Sequence, residues 1–453
     1  MSSTGAAEDQ ARSAELRRNR IGIGKIIVLS LGVGLVAAVL LPFVPWPTVD
    51  ANFATAMVLF GFALGWLLLA ALSVRLTDQP QRWAYAPALF MGVAAVLLLF
   101  LPEAVLDALD WVWPPALLVL VVWVFRRAKR DLRSRTRIWL LNPVLAVLVL
   151  FTLGGTYQAV GRATESSVAM SGQLVDVGPY RLHLECTGTG APTVILEAGG
   201  GASAATFGSI APVVARHTTV CVYDRAGKGW SDAAPTAPDG AQIATDLHTL
   251  LERAEVPGPY VLAGHSFGGL YVMRYAAQYP DEVAGMVLID STAPNTNRVP
   301  PTTDGSDSFL KHVSALLSST ARIGLGRLLA GAVPSDLPQP YRDEAQASAA
   351  TAKEMAGFID EYAVAGRSAS EAGELTSLDG KPLIVLTAEQ GNAPGWMPHQ
   401  DAMAGLSTNS LHDVVPGATH QSLVDNPTHA AVVSQAIVDV LEAVRTGGPL
   451  GSQ

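Results

Sequence analysis

The sequence predicts an α-helical membrane region of about five spans followed by an α/β domain. Composition is the first sign: 49% of the 453 residues are hydrophobic and 15% charged, a balance that a wholly soluble chain rarely shows. Periodicity is the second. Long apolar runs stop near residue 158, and from Ser171 short apolar runs bounded by glycine, proline and polar turns alternate with helical stretches, the pattern of an α/β domain. Charge divides at the same place. Residues 1–158 hold 14 Lys+Arg against 9 Asp+Glu, whereas residues 159–453 hold 16 against 30. The acidic second part lacks the clustered cations that phosphate recognition needs, which excludes nucleic acid as a partner.

Residues 1–20 form a polar tail with Arg12, Arg17, Arg18 and Arg20, expected in the cytoplasm. The apolar run from Ile21 to about Pro45 exceeds the roughly 20 residues that cross a bilayer. No small-residue cleavage pattern follows it, so it reads as a retained anchor rather than a signal peptide. Further runs cover Phe53 to Val74, Ala84 to Leu101, Trp111 to Phe125 and Ile138 to Tyr157, giving a membrane region over 21–158. The fourth is short. It either borrows Ala104 to Leu109 or re-enters the membrane, and the two choices place everything after it on opposite sides.

Loop charge decides between them. Basic residues precede the first run, lie at Arg75 and Arg82 between the second and third, and number seven from Arg126 to Arg137; the alternate loops carry Asp50 in one and Glu103, Asp107 and Asp110 in the other. That alternation predicts five crossings of the cytoplasmic membrane, with the N-terminus inside and the second domain outside. No ionisable residue falls between Ile26 and Pro42, Phe53 and Leu72, or Ile138 and Thr156, so the region reads as an anchor and scaffold. Gly61, Gly65, Gly154 and Gly155 are candidates for close helix contacts.

In the second part, Gln173 to Val177 and Tyr180 to Cys186 read as a hairpin about Gly178-Pro179. Thr193 to Glu197, Thr218 to Tyr223, Tyr260 to Ala263, Gly285 to Ile289, Leu383 to Thr387 and Leu411 to Val415 read as further strands. Between the strand ending at Ala263 and a helical pattern over Leu270 to Tyr279 lies Gly264-His265-Ser266-Phe267-Gly268. A serine on so sharp a turn takes an elbow conformation only if its neighbours are nearly free of side chains. Its hydroxyl then stands at a helix N-terminus, where the dipole and free N–H groups favour developing negative charge. Ser266 is therefore the candidate nucleophile.

These blocks, together with Asp224-Arg225-Ala226-Gly227-Lys228-Gly229-Trp230-Ser231 and the Pro-Thr-Val opening of the Thr193 strand, resemble the alpha/beta-hydrolase superfamily and especially its small-molecule hydrolases. The likeness runs from about Val175 to Val444 in the expected order and leaves out the apolar runs. It implies a mostly parallel eight-stranded sheet over 171–445, a helical cap inserted at about 292–381, a flexible tail over 446–453, and a catalytic triad in the order serine, acid, histidine. His420, on the loop Pro416-Gly417-Ala418-Thr419 after the last strand, is the implied base. The oxyanion hole falls to the backbone N–H groups of Phe267 and of Gly200, the latter in Glu197-Ala198-Gly199-Gly200-Gly201-Ala202. Neither a metal nor another cofactor is implied.

The acid departs from the pattern. Relatives carry an aspartate a few residues after the strand matching Leu383 to Thr387, but Gly391 occupies that place in Ala388-Glu389-Gln390-Gly391-Asn392. Asp290, at the end of the Gly285 to Ile289 strand, is the first substitute, although many relatives hold a non-catalytic aspartate there. Glu389 is the second. A degraded triad is the third reading, with a rate cost of orders of magnitude.

Two amphipathic helix patterns, Phe309 to Leu329 and Glu344 to Ala365, fall in the implied cap. Leu316, Leu317, Leu325, Leu328 and Leu329 either roof a pocket for a lipophilic ester or pack down on the core. Serine at 266, where epoxide hydrolases and haloalkane dehalogenases need aspartate, speaks against both chemistries. Cys186 and Cys221 fit no zinc or CxxC pattern. The strand order of the resembled fold sets their strands side by side, which implies a disulfide worth about 3–4 kcal/mol in an oxidising compartment; two buried free thiols are the alternative.

The expected function is that of a membrane-anchored serine hydrolase acting, through an acyl-enzyme at Ser266, on an ester or less readily an amide. Its partners would be a small-molecule or lipid-like ester substrate and the lipid bilayer; oligomeric state is not legible. The alternative is a catalytically weak hydrolase-fold membrane protein that binds a ligand or partner.

Overall fold

The structure, a computed structural model, describes residues 22–132, 139–165, 169–294, 304–332 and 335–451. The polar tail, Arg133, Arg135 and Arg137 of the most basic loop, Ile138 and the last two residues lie outside them. Backbone contacts divide the chain into two units, the first running to Val160 and including Arg322–Gly324, the second holding the rest from Gly161 onward.

The first unit is helical. Among the described residues, four helices are long and apolar enough to cross a membrane: Ile23–Phe43, Ala51–Leu76, Arg82–Phe100 and Asn142–Glu165. Glu103–Leu109 and Trp113–Asp131 together meet the same test as a pair bent by 49°, so the candidate spans number four or five. The break coincides with Pro114, placed in the first turn of its helix where a missing N–H costs nothing. Small residues let two helices touch through their backbones. A Cβ on Gly61 would stand 2.1 Å from the Ala38 nitrogen, and one on Gly65 would stand 2.9 Å from the Gly34 Cα. Gly155 does the same for a ring, since its Cβ would meet Trp113 at 2.1 Å. At the turn after Leu76 the buried polar atoms satisfy one another: Gln81 N–H donates to Ser73 Oγ and Trp83 Nε1–H to Gln81 Oε1, each at 2.8 Å.

Among the described residues the second unit has eight strands, in chain order β1 Gln173–Asp176, β2 Arg181–Thr187, β3 Thr193–Glu197, β4 Val220–Asp224, β5 Tyr260–His265, β6 Val283–Ile289, β7 Leu383–Gln390 and β8 Ser410–Thr419. They form one sheet of order β1-β2-β4-β3-β5-β6-β7-β8. The β1–β2 and β2–β4 pairs are antiparallel and the others parallel, so the sheet is mixed, with its parallel part at the centre. Central strands are buried on both faces and read as unbroken apolar runs. The two-residue period sends Val194, Leu196, Val261, Ala263, Val287 and Ile289 into one core, and Ile195, Leu262, Met286 and Leu288 into another on the opposite face.

The helices that cover these faces start where their sequences dictate. In Gly240–Arg253 the first turn is capped by Asp239, which accepts from Gln242 N–H. Pro427–Thr446 opens with Asn426 as cap and proline at its first position and ends at Gly447, where φ is 64°. Between β6 and β7 lies the cap, with helices Asp304–Ser318, Leu325–Ala332, Tyr341–Ala349 and Ala352–Ala372. Both expected amphipathic runs are thus interrupted. Gly324, at φ 75°, breaks the first, and Thr351 starts a new helix within the second by accepting from Glu354 N–H. Leu317, Leu325, Leu328 and Leu329 are exposed, so they do not pack down on the core. The expected free tail is held as far as Leu450, whose N–H donates to Asn409 Oδ1 at 2.8 Å.

Cys186 and Cys221 sit directly opposite each other in the β2–β4 register. Their Cα atoms are 4.1 Å apart and a disulfide joins them, in place of the two free thiols that were the alternative.

Candidate active site

Ser266 occupies the turn between β5 and the helix Phe267–Gln278, with φ 55° and ψ −121°. A residue with a side chain holds such a conformation only where its surroundings impose it, at a cost of about 1–3 kcal/mol. The surroundings here leave no room for alternatives. A Cβ on Gly264 would stand 2.5 Å from the Gly268 oxygen, one on Gly268 2.2 Å from the Glu197 oxygen, and one on Gly269 2.3 Å from the Ser291 Cβ. Ser266 N–H donates to Ile289 O at 3.1 Å, and Ser266 O accepts from Thr292 N–H at 3.0 Å. The turn is thereby fastened to the end of β6 and to the chain just beyond it.

His420 is the first residue after β8. The stretch expected as a loop, Pro416 to Thr419, continues that strand, because β7 itself runs on to Gln390 and pairs with Thr419. His420 Nδ1 lies 2.6 Å from Asp290 Oδ2. Asp290 follows β6 in a positive-φ conformation, φ 42°, and its other oxygen accepts from Trp396 Nε1–H at 2.7 Å and Ala388 N–H at 3.2 Å. Burial pushes its carboxyl pKa up, but the His420 and Trp396 hydrogen bonds, the His420 charge and the Ala388 N–H outweigh burial, and the net shift is downward. The group is therefore a carboxylate, which can only accept. Nδ1 of His420 must then carry the proton, leaving Nε2 as a lone-pair base.

Glu389 lies at the exposed end of β7 and does not reach the imidazole. Its Oε2 accepts from Gly417 N–H at 2.7 Å, which steadies the strand just before His420. Gly391, where relatives carry their acid, turns the chain away at φ 82°.

His265 is buried beneath His420, with ring centroids 4.6 Å apart. Its Nε2 lies 3.1 Å from the His420 carbonyl oxygen. Burial, reinforced by the neighbouring His420, depresses its pKa to about 3. It is neutral, donates through Nε2 and supports the backbone that carries His420.

The loop after β3 approaches the elbow closely. A Cβ on Gly199 would stand 3.2 Å from the Ser266 Cβ, and one on Gly200 would stand 2.6 Å from the Phe267 ring. A side chain at 200 would force the Phe267 ring to move, and one at 199 would be tight against the elbow. Above the loop, Phe267 and Tyr362 rings lie 4.9 Å apart and Tyr362 and Phe358 4.6 Å apart. Phe358 and Tyr362 are about half exposed, at 46% and 51%, and form an open aromatic wall.

Several participants were not legible as such. Trp396 bonds the acid from a helix 106 residues further along the chain, and sequence spacing gives no sign of it beyond its place in the stretch where the usual acid is missing. Arg225 and Glu361 reach the glycine loop after β3 from the β4 turn and from the helix Ala352–Ala372. The Asp-Arg-x-Gly motif marked Arg225 as part of a turn, but not what its guanidinium holds.

The second unit thus holds a strained serine turn at the end of a parallel strand, a glycine loop packed against it and a histidine–carboxylate pair at the ends of β8 and β6. The chain belongs to the family described as alpha/beta hydrolase fold, which matches residues 192–427. Among curated proteins it is similar to an uncharacterized protein of Schizosaccharomyces pombe, 33% identical over 166 residues that make up 30% of this chain and 31% of the relative. It is also similar to the (Lyso)-N-acylphosphatidylethanolamine lipase of Homo sapiens, 30% identical over 137 residues, 28% of this chain and 38% of that one. The chain thus spans about a third of the length of these relatives. Among solved structures, the epoxide hydrolase CorEH shares 19% identity at a TM-score of 0.49, covering 61% of this chain and 99% of that one.

Proposed function

We propose that this protein is a membrane-anchored serine hydrolase that cleaves a carboxylic ester through an acyl-enzyme at Ser266. The observation that carries the reading is the 2.6 Å contact between His420 Nδ1 and Asp290 Oδ2, made at the strand ends beside the elbow. In the first step Ser266 Oγ bonds to the carbonyl carbon while its proton passes to His420 Nε2. The N–H groups of Gly200 and Phe267 receive the negative oxygen. Collapse breaks the bond to the alkoxy oxygen, and His420 returns the proton to the departing alcohol. Water then attacks the acyl carbon, His420 takes its proton, and the carboxylic acid leaves with Ser266 regenerated. Asp290 holds the imidazole in the required tautomer and offsets its charge throughout.

An apolar acyl chain or ring suits the open aromatic wall of Phe358 and Tyr362. The likeness to a human phospholipid-directed lipase supports a lipid-like ester over a small polar one. We place the catalytic unit on the extracytoplasmic side of the cytoplasmic membrane. Alternation of basic and acidic loops supports five crossings, and the Cys186–Cys221 disulfide suits an oxidising compartment.

The test is a chain-length series of p-nitrophenyl esters given to the detergent-solubilised full chain. Hydrolysis that rises from acetate to longer acyl chains and disappears in Ser266→Ala is the expected result; a wild type with no esterase activity across the series would contradict it.

A further inference from the structure

The side chains that fix the oxyanion loop come from the cap. Gly199 C=O and Gly200 N–H belong to one planar trans peptide, so they point in opposite directions. Whatever grips the Gly199 oxygen aims the Gly200 N–H. The side-chain grip is Arg225: its Nη2 donates to Gly199 O and its Nη1 to Ala198 O, both at 2.7 Å, beside the Ala202 N–H that donates to Gly199 O at 3.1 Å. The guanidinium is itself held by two buried carboxylates, Glu197 through Nη1 at 2.6 Å and Glu361 through Nε at 2.7 Å, and it lies 5.0 Å over the Tyr271 ring. Glu361 also accepts from Gly201 N–H at 2.6 Å. The proposed donor peptide is therefore clamped on both sides, and one jaw belongs to the cap helix Ala352–Ala372.

We propose that Arg225 and Glu361 are positioning residues that make the cap helix part of the oxyanion hole, so that displacement of the cap turns the Gly200 N–H off target. The inference rests on the serine-hydrolase reading above. Arg225 is 3% exposed and Glu361 2%, so neither reaches substrate, and their effect must pass through the loop. Glu354 and Lys228 continue the buried charge cluster toward the same helix, with Lys228 Nζ 3.7 Å from carboxylate oxygens of both Glu354 and Glu361. A planar fork is needed to bridge two carbonyls and two carboxylates at once, and lysine cannot replace it.

The experiment compares Glu361→Gln and Arg225→Lys with wild type, using the full chain in detergent. A trifluoromethyl ketone forms a hemiketal oxyanion with a nucleophilic serine, whereas the matching secondary alcohol binds without one. Removal of an oxyanion donor lowers kcat by about 100- to 1000-fold; a misaimed donor should lose a part of this, roughly 10- to 100-fold, with KM little changed. The trifluoromethyl ketone should weaken by the same factor while the alcohol keeps its affinity. Glu361→Gln preserves shape and one acceptor, so it keeps the test open if Arg225→Lys fails to fold. Unchanged ketone-to-alcohol selectivity in a folded Glu361→Gln protein would overturn the proposal. A wild type with no preference for the ketone would overturn the serine-hydrolase reading itself, and this inference with it.

Discussion

At the residue scale the acid is the informative position. A sequence without an aspartate in the family's usual place still supplies a carboxylate to the imidazole, because Asp290 at the preceding strand end points across to His420. Asp290→Asn leaves the shape but offers an amide that favours the wrong tautomer, and kcat should fall by about 10⁴-fold. Glu389→Gln should leave kcat near wild type, since a glutamine oxygen can still accept from Gly417 N–H. Parallel esterase assays check both, and the reverse order of effects would reassign the acid.

His265 makes a prediction about pH. Its folded pKa is pushed down to about 3 from an ordinary 6.5, so the unfolded chain binds the proton first. The stability it contributes is whole above pH 6.5 and is lost as pH falls toward 3. At pH 5 the loss is about 2 kcal/mol. Asp290, with a depressed pKa, adds to the same trend only below the ordinary carboxylate range, as pH falls through its folded value. Thermal unfolding at pH 7.5 and pH 5 should therefore show a smaller drop in Tm for His265→Asn than for wild type; an equal drop would remove His265 as the source.

At the scale of elements, existence was easier to read than extent. All eight strands were visible in the sequence: the buried central ones as apolar runs between turn residues, and the outer ones, β1, β2 and β8, as short runs bounded by turn residues. Their ends were not, because a strand stops where its neighbour stops pairing. β8 runs on to Thr419 along an extended β7, which carries His420 straight off a strand rather than off a loop. Ser266 could be picked out from the strand, turn and helix around it, whereas His420 was picked out from the order of blocks that the family resemblance implies. The Asp290–His420 pair was legible only as one of several options, since it spans 130 residues. The Arg225–Glu361 clamp, over 136 residues with its helix in an insertion, left no local signature at all. The elbow also carries a packing prediction. Gly268→Ala would push a methyl group against the Glu197 oxygen at 2.2 Å, a backbone atom that cannot swing away. Overpacking of this kind costs about 1–3 kcal/mol, to be seen as a lowered Tm together with slower ester turnover.

For the whole molecule, the two units rest on different physics. The first is organised by the length and apolarity of its helices and by glycine contacts between them; the second by a sheet whose two faces bury separate cores. Sidedness links them. With the N-terminus inside, as proposed, a single crossing by the bent pair Glu103–Leu109 and Trp113–Asp131 would put the hydrolase unit outside, and re-entry would put it inside. Thiol counting on intact membranes should find no free cysteine among Cys186 and Cys221 before reduction and two after. External protease on intact cells should cut the hydrolase unit, and protection of that unit would reverse the proposed orientation.

Covalent capture of the nucleophile is the most direct test. The full-length protein is treated with a fluorophosphonate, digested, and the adduct mapped by mass. One adduct on the peptide bearing Ser266, absent in Ser266→Ala and slowed in Asp290→Asn, is the predicted result. A folded wild type that takes up no label, or takes it elsewhere, would contradict the assignment of Ser266, His420 and Asp290 as a working hydrolase site.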